Sequence, residues 1–128
     1  RISDFFTTTL PDIAVIVNPS NSNAMDASAI SRLFFGKSKK FPDSLVAIPL
    51  NQIEASSATG QFNSKALKKP SIQLKAYWSK LVFTGKGSPP KRVDNNVAVI
   101  ELVASNPNII GYVDSSAFTD RVKVLTTF

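Results

Sequence analysis

Ile13-Ala14-Val15-Ile16-Val17-Asn18-Pro19 is the stretch on which the fold turns. Five apolar residues in a row, four of them β-branched, leave no polar face. A short run of this kind reads as a central strand of a sheet covered on both sides, as parallel strands are. Asn18-Pro19 closes it. Before it, residues 1–12 (RISDFFTTTLPD) show no period and read as a leader ahead of a single domain over residues 13–128. Phe5 and Phe6 in that leader either pack somewhere or belong to a partner surface.

After the run comes the polar loop Pro19-Ser20-Asn21-Ser22-Asn23. Asp26 then suits the cap of a helix with the apolar face Ala27, Ile30, Leu33 and Phe34, and Gly36 stops it. Lys37 to Asp43 form a basic loop. Leu45 to Leu50 form the next expected strand, with Pro49 near its end, where a missing N–H is tolerable. The polar stretch Asn51 to Ser57 leads into a short helix over Ala58 to Leu67. Beyond Pro70, Leu74, Tyr77, Trp78, Leu81 and Val82 fall at the spacing of a buried helix face. Ser71 is its expected cap, Gly85 its stop, and Trp78 is expected to be largely buried. Gly85 to Pro90 read as a turn-rich loop. Asp94 suits the cap of the next helix, with Val97, Ile100, Leu102 and Val103. Ile109 to Val113 and Val122 to Leu125 complete the set of strands.

Strands separated by helices imply crossover connections. The expected fold is therefore α/β: a three-layer, mostly parallel sheet with 13–17, 45–50 and 109–113 as parallel neighbours and an edge strand at the C-terminus. Ligands of such sheets bind outside the carboxyl ends of the strands. That rule selects the loops after the first three strands and, in them, Ser20, Asn21, Ser22, Asn51, Ser56, Ser57 and Ser115. These are hydroxyls and amides. Two of the loops feed helix N-termini, where unpaired N–H groups and the positive dipole end attract anions. The same residues are also what turns and helix caps ordinarily use.

Composition narrows the function classes. The chain has 128 residues, 43% hydrophobic and 19% charged, which suits one packed domain. It has no cysteine and no histidine. Disulfides, thiolate chemistry, the usual metal ligands and every Ser-His or Cys-His pair are absent, so no enzyme, cofactor or metal is expected. No run approaches the ~20 apolar residues of a membrane span. The chain begins at Arg1, as a processed product would. Net charge is +6, and from Ala55 to Val93 there are no carboxylates but eight basic residues: Lys65, Lys68, Lys69, Lys75, Lys80, Lys86, Lys91 and Arg92. Such a face suits an acidic partner or simple solvation. Nucleic acid is not expected, because Tyr77 and Trp78 fall on the apolar stripe rather than among the charges.

Ile13-Ala14-Val15-Ile16-Val17-Asn18-Pro19-Ser20-Asn21, with Leu33-Phe34-Phe35-Gly36-Lys37, resembles the opening of the second lobe of phosphate ABC-transporter binding proteins, of the type 2 periplasmic binding-protein superfamily. Tyr77-Trp78-Ser79-Lys80-Leu81-Val82-Phe83-Thr84-Gly85-Lys86-Gly87 with Pro89-Pro90 resembles a small stand-alone branch of it. Val103 to Val113 is similar to the closing helix and strand. The resemblance implies a periplasmic or exported protein that binds or senses a small oxyanion, phosphate or a phosphoryl group. The family's phosphate loop reads approximately Ser-Gly-Thr, often with Arg after it. Here Ser56 is kept, while Ser57, Ala58 and Thr59 stand at the Gly, Thr and Arg positions. An interaction module that kept the fold and uses the basic face is the alternative. The resemblance supplies one lobe, so a second surface is expected from another copy or a separate protein, with Phe5-Phe6 and the Val97–Val103 helix as candidate contacts.

Overall fold

The computed structural model describes residues 12–128. Apart from Asp12, the expected leader with Phe5 and Phe6 lies outside the described residues. Five strands form one sheet: β1 Ile13–Val17, β2 Ile48–Gln52, β3 Lys91–Val93, β4 Ile109–Asp114 and β5 Lys123–Thr127. Their order is β3-β2-β4-β1-β5. Four α-helices accompany them: α1 Ala27–Phe34, α2 Ser57–Phe62, α3 Ser71–Phe83 and α4 Asn96–Ser105. A π-helical turn, Asn63–Leu67, prolongs α2, and a short 3-10 turn, Ser115–Ala117, follows β4.

The run that opens the domain is buried along its whole length. Successive side chains of a strand point to opposite faces. Accordingly Ile13, Val15 and Val17 join Ile30, Leu33, Phe34, Phe62 and Tyr112 in one apolar layer. Ala14 and Ile16 join Leu50, Val99, Ile100 and Val103 in the other. The result is the expected three-layer α/β lobe, with α4 on one face of the sheet and α1 and α2 on the other. Phe62 stacks flat on Tyr112, ring centroids 4.0 Å apart.

The direction of β1 corrects the expectation. β2 runs parallel to β3 and to β4, but β1 runs antiparallel to both its neighbours, β4 and β5. β4 also lies between β1 and β2, so these two are not neighbours. The sheet is mixed: β2, β3, β4 and β5 share one direction, and β1 alone opposes them. A strand buried on both faces has the same apolar pattern read in either direction, and here helices cover both faces whichever way it runs. The C-terminal strand does lie at an edge, as β5.

The other edge, β3, is only three residues long and begins with exposed Lys91 and Arg92, so no apolar run announces it. β2 begins at Ile48, three residues later than expected, with Leu45 and Val46 exposed before it. Asp26 caps α1, accepting from Ala29 N at 2.8 Å. Asn95 rather than Asp94 caps α4, accepting from Ala98 N at 2.9 Å. Ser71 is the first residue of α3, not its cap; Pro70 holds the cap position without a side-chain bond.

Trp78 also departs from expectation. Only Leu74 of α3 is buried, and Trp78 is half-buried. Its ring lies over Gly36, which sits at φ +73°, where a Cβ would meet the indole at 3.0 Å. Gly36 therefore ends α1 and also makes room for the indole. Gly111 answers a different need. A Cβ there would stand 2.6 Å from Val99 Cγ1, so its absence lets α4 lie against β4.

Candidate functional site

Strand direction decides which loops share an end of the sheet. β2, β3 and β4 run the same way, so the segments after β2 and β4 emerge together. This puts Asn51, Ser56, Ser57 and Ser115 at the same end of the sheet. β1 runs the other way, as its pairing of Ile13 with Asp114 and Val17 with Ile110 shows. Its following loop, with Ser20, Asn21 and Ser22, emerges at the opposite end, and the structure does not bring these three to the others.

That opposite loop is held by its own bonds. Asn18 Nδ2 donates to the carbonyls of Val103 and Ala104 at the end of α4, and its Oδ1 accepts from the Ser20 backbone and hydroxyl. Asn21 Oδ1 accepts from the backbone and side chain of Asn23. Asn23 in turn exchanges bonds with Asp43. Lys123 Nζ donates to the Asn21 carbonyl. These are turn and tether bonds, and Ser22 stands exposed.

At the carboxyl end of β2 the chain builds a buried polar network. Backbone pairing between β2 and β4 covers Ile48 and Pro49. Beyond it, side chains continue the connection. Gln52, only 1% exposed, donates from Nε2 to the Tyr112 carbonyl and to Asn96 Oδ1, both at 2.9 Å. Its Oε1 accepts the Ser56 hydroxyl at 2.6 Å. The Tyr112 hydroxyl accepts from Gln52 N and donates to Asn51 Oδ1. Thr59 Oγ1 donates to the carbonyls of Gln52 and Ile53. Asn96 donates to Asp114 Oδ2 and accepts from Asp114 N. Burial pushes the Tyr112 phenol above its usual pKa, against the opposing influence of its bonds to Thr59 and Gln52 and of the Arg92 charge.

Ser56 therefore has its proton engaged, whereas Ser57, exposed at the first position of α2, makes no side-chain bond among the described residues. The Ser115 hydroxyl oxygen is buried, and no described residue bonds to it. Glu54 pairs with Lys75 of α3 at 3.2 Å. All eight basic residues between Ala55 and Val93 are exposed. Among the described residues no group of three potential metal ligands converges, and no helix is long and apolar enough to cross a membrane.

Sequence reasoning missed Tyr112, Asn96 and Arg92 as members of this end. Tyr112 had a signal, being the one residue with a polar tip inside the apolar run Ile109 to Val113. Arg92 had none, since only the pairing of β3 with β2 sets it opposite Asn51.

No family model matches this chain, and no curated protein does. Solved structures do. An ABC-type phosphate transport receptor of Vibrio cholerae superimposes with a TM-score of 0.68 at 15% identity, over 91% of this chain and 46% of its own. A substrate-binding protein of Clostridium perfringens assigned to phosphate ABC transport, with bound phosphate, gives 0.67 at 17% identity, over 91% and 44%. PstS of Borrelia burgdorferi gives 0.66 at 14% identity, over 91% and 47%. At these identities what is shared is the fold, and the chain spans less than half the length of each of these proteins.

Proposed function

We propose that this domain is a non-enzymatic solute-binding or sensing module for a small oxyanion, phosphate or a phosphoryl group, in an exported or periplasmic setting. One observation carries the reading: Asn51, Ser56, Ser57 and Ser115 gather at the end of the sheet where β2, β3 and β4 all finish. The fold supports it, since proteins that share it include one with bound phosphate. The chemistry is neutral donation. Ser57 offers a hydroxyl, and the first N–H groups of a helix have no intrahelical acceptor.

One lobe supplies about half the contacts of a two-lobed binder and cannot close over its ligand. If the complete arrangement binds at about −8 kcal/mol, half of that is millimolar affinity. A second surface, from another copy or a separate protein, then supplies the remainder, and Val97, 67% exposed on the apolar helix α4, is a candidate contact.

Titration calorimetry with phosphate, sulfate and methylphosphonate on the wild type, Ser56→Ala and Ser57→Ala tests this. The expected result is weak, saturable heat with phosphate that falls in Ser57→Ala. Ser56→Ala changes it less, because that hydroxyl already serves Gln52. Absence of heat with all three anions, or identical heats in all three proteins, overturns the site.

The engaged Ser56 hydroxyl favours a second reading, in which the lobe is an interaction module and the exposed basic face meets an acidic partner. That reading predicts retention on an acidic polymer at low salt and release as salt rises, with no heat from the small anions.

A further inference from the structure

We infer that the space between α3 and the β2–β3 edge is a second binding site, meeting the proposed oxyanion site at Asn51, and that it takes an amphipathic organic anion. The cavity measures about 530 Å³, within the range of small-molecule pockets. Its walls are mostly apolar: Phe34 and Leu67 on the sheet side, Leu74, Trp78 and Val82 on α3. α3 touches the rest of the domain lightly, with Leu74 its one buried residue. The space is left because the helix bridges it instead of filling it.

Charge sets the class of occupant. Arg92 lines the cavity and forms no salt bridge among the described residues. It stands opposite Asn51 in the β2–β3 ladder, and Asn51 lines the same cavity. Asn51 Oδ1 is taken by the Tyr112 hydroxyl, but its Nδ2 donates to no described residue. The other two charges in the lining, Lys75 and Glu54, neutralise each other at 3.2 Å. One end of the space thus holds a guanidinium without a carboxylate partner among the described residues beside an unused amide donor, while Thr59, Asn63, Ser71 and Ser79 add neutral polar groups to the lining. A carboxylate, sulfonate or phosphonate satisfies both with charge-assisted bonds. A hydrocarbon body lies along Leu67, Leu74, Trp78 and Val82, removing from water the apolar surface that α3 leaves open. An inorganic ion uses only the first part of this arrangement.

Trp78 is the only tryptophan of the chain and lines the cavity, so its fluorescence reads occupancy directly. Decanoate is the probe, decyltrimethylammonium the control with the same chain and the opposite charge, and phosphate the control for an anion with no hydrocarbon body. Arg92→Gln removes the cation and Ser79→Phe fills the cavity from α3. Both positions are exposed, and circular dichroism checks that both variants fold. The expected result is a saturable shift of Trp78 emission with decanoate. It should be about tenfold weaker in Arg92→Gln, lost in Ser79→Phe, and absent with decyltrimethylammonium. Phosphate alone should give no comparable shift. Equal responses to the two amphiphiles, no saturable response, or full binding in Ser79→Phe overturns the inference. A comparable shift with phosphate alone overturns the amphipathic class of the ligand. The outcomes with the two amphiphiles do not bear on phosphate calorimetry, which fails or succeeds independently.

Discussion

Gln52→Leu replaces a buried amide by an apolar side chain of similar size and removes three bonds at once. The consequences differ from bond to bond. Ser56, half-buried, turns its hydroxyl to water. Asn96 Oδ1 keeps the Asp114 N–H at 3.2 Å. The Tyr112 carbonyl, on a fully buried residue and bonded through Gln52 Nε2, loses its partner. A buried acceptor left unpaired costs about 1–3 kcal/mol, and each of the other bonds about 1 kcal/mol net. Leucine returns a part of this through apolar burial. The expected loss is about 3 kcal/mol, a large share of the stability of a domain of this size. Urea unfolding followed by circular dichroism should show the midpoint falling by about 2 M at unchanged slope. In thermal melts the transition should fall by about 10 °C. Gln52→Glu should cost more at neutral pH, because an ionised carboxylate cannot donate to two acceptors and is buried besides. A loss below about 1 kcal/mol in Gln52→Leu would show that the Tyr112 carbonyl finds another partner, and that the network does not join β2 to β4.

Two further outcomes are expected. Gly111→Ala places a methyl 2.6 Å from Val99 Cγ1, on a stiff, fully buried, β-branched side chain, and should cost about 1–3 kcal/mol in urea melts; Gly111→Ala with Val99→Ala should be less destabilised than the sum of the two single variants, and simple additivity would refute the clash. Because burial raises the Tyr112 pKa in the folded state, the protonated phenol favours folding: this stabilisation is fully present below pH ~10 and is lost as pH rises through the folded value. Tyr112→Phe should therefore flatten the fall of stability above pH ~10, and an unchanged alkaline slope would refute the assignment.

The sequence by itself determined what depends on local pattern. An unbroken apolar run makes β1 a doubly covered strand wherever it is placed. Asp26 before an amphipathic stretch makes the start of α1, because a carboxylate there takes an N–H that the helix cannot. Ile100 and Val103 were legible on the face by which α4 covers the sheet, whereas packing put Val99 on that face and turned Val97, expected there, out to solvent. The polar segment after β2 was legible as a loop that opens a helix, since Ser56 and Ser57 stand between a strand and an apolar stretch. What only the tertiary structure decided concerns direction and distance. Whether β1 runs with or against β4 leaves no mark in its five residues, yet it separates Ser20, Asn21 and Ser22 from Ser56, Ser57 and Ser115 by the length of the sheet. β3 exists because β2 offers it an edge, and through that pairing Arg92, one cation among eight in its segment, comes to stand beside Asn51. The half-burial of Trp78 has the same origin. Helical spacing says which side of α3 turns inward, and only the packing of its neighbours says how closely they approach it.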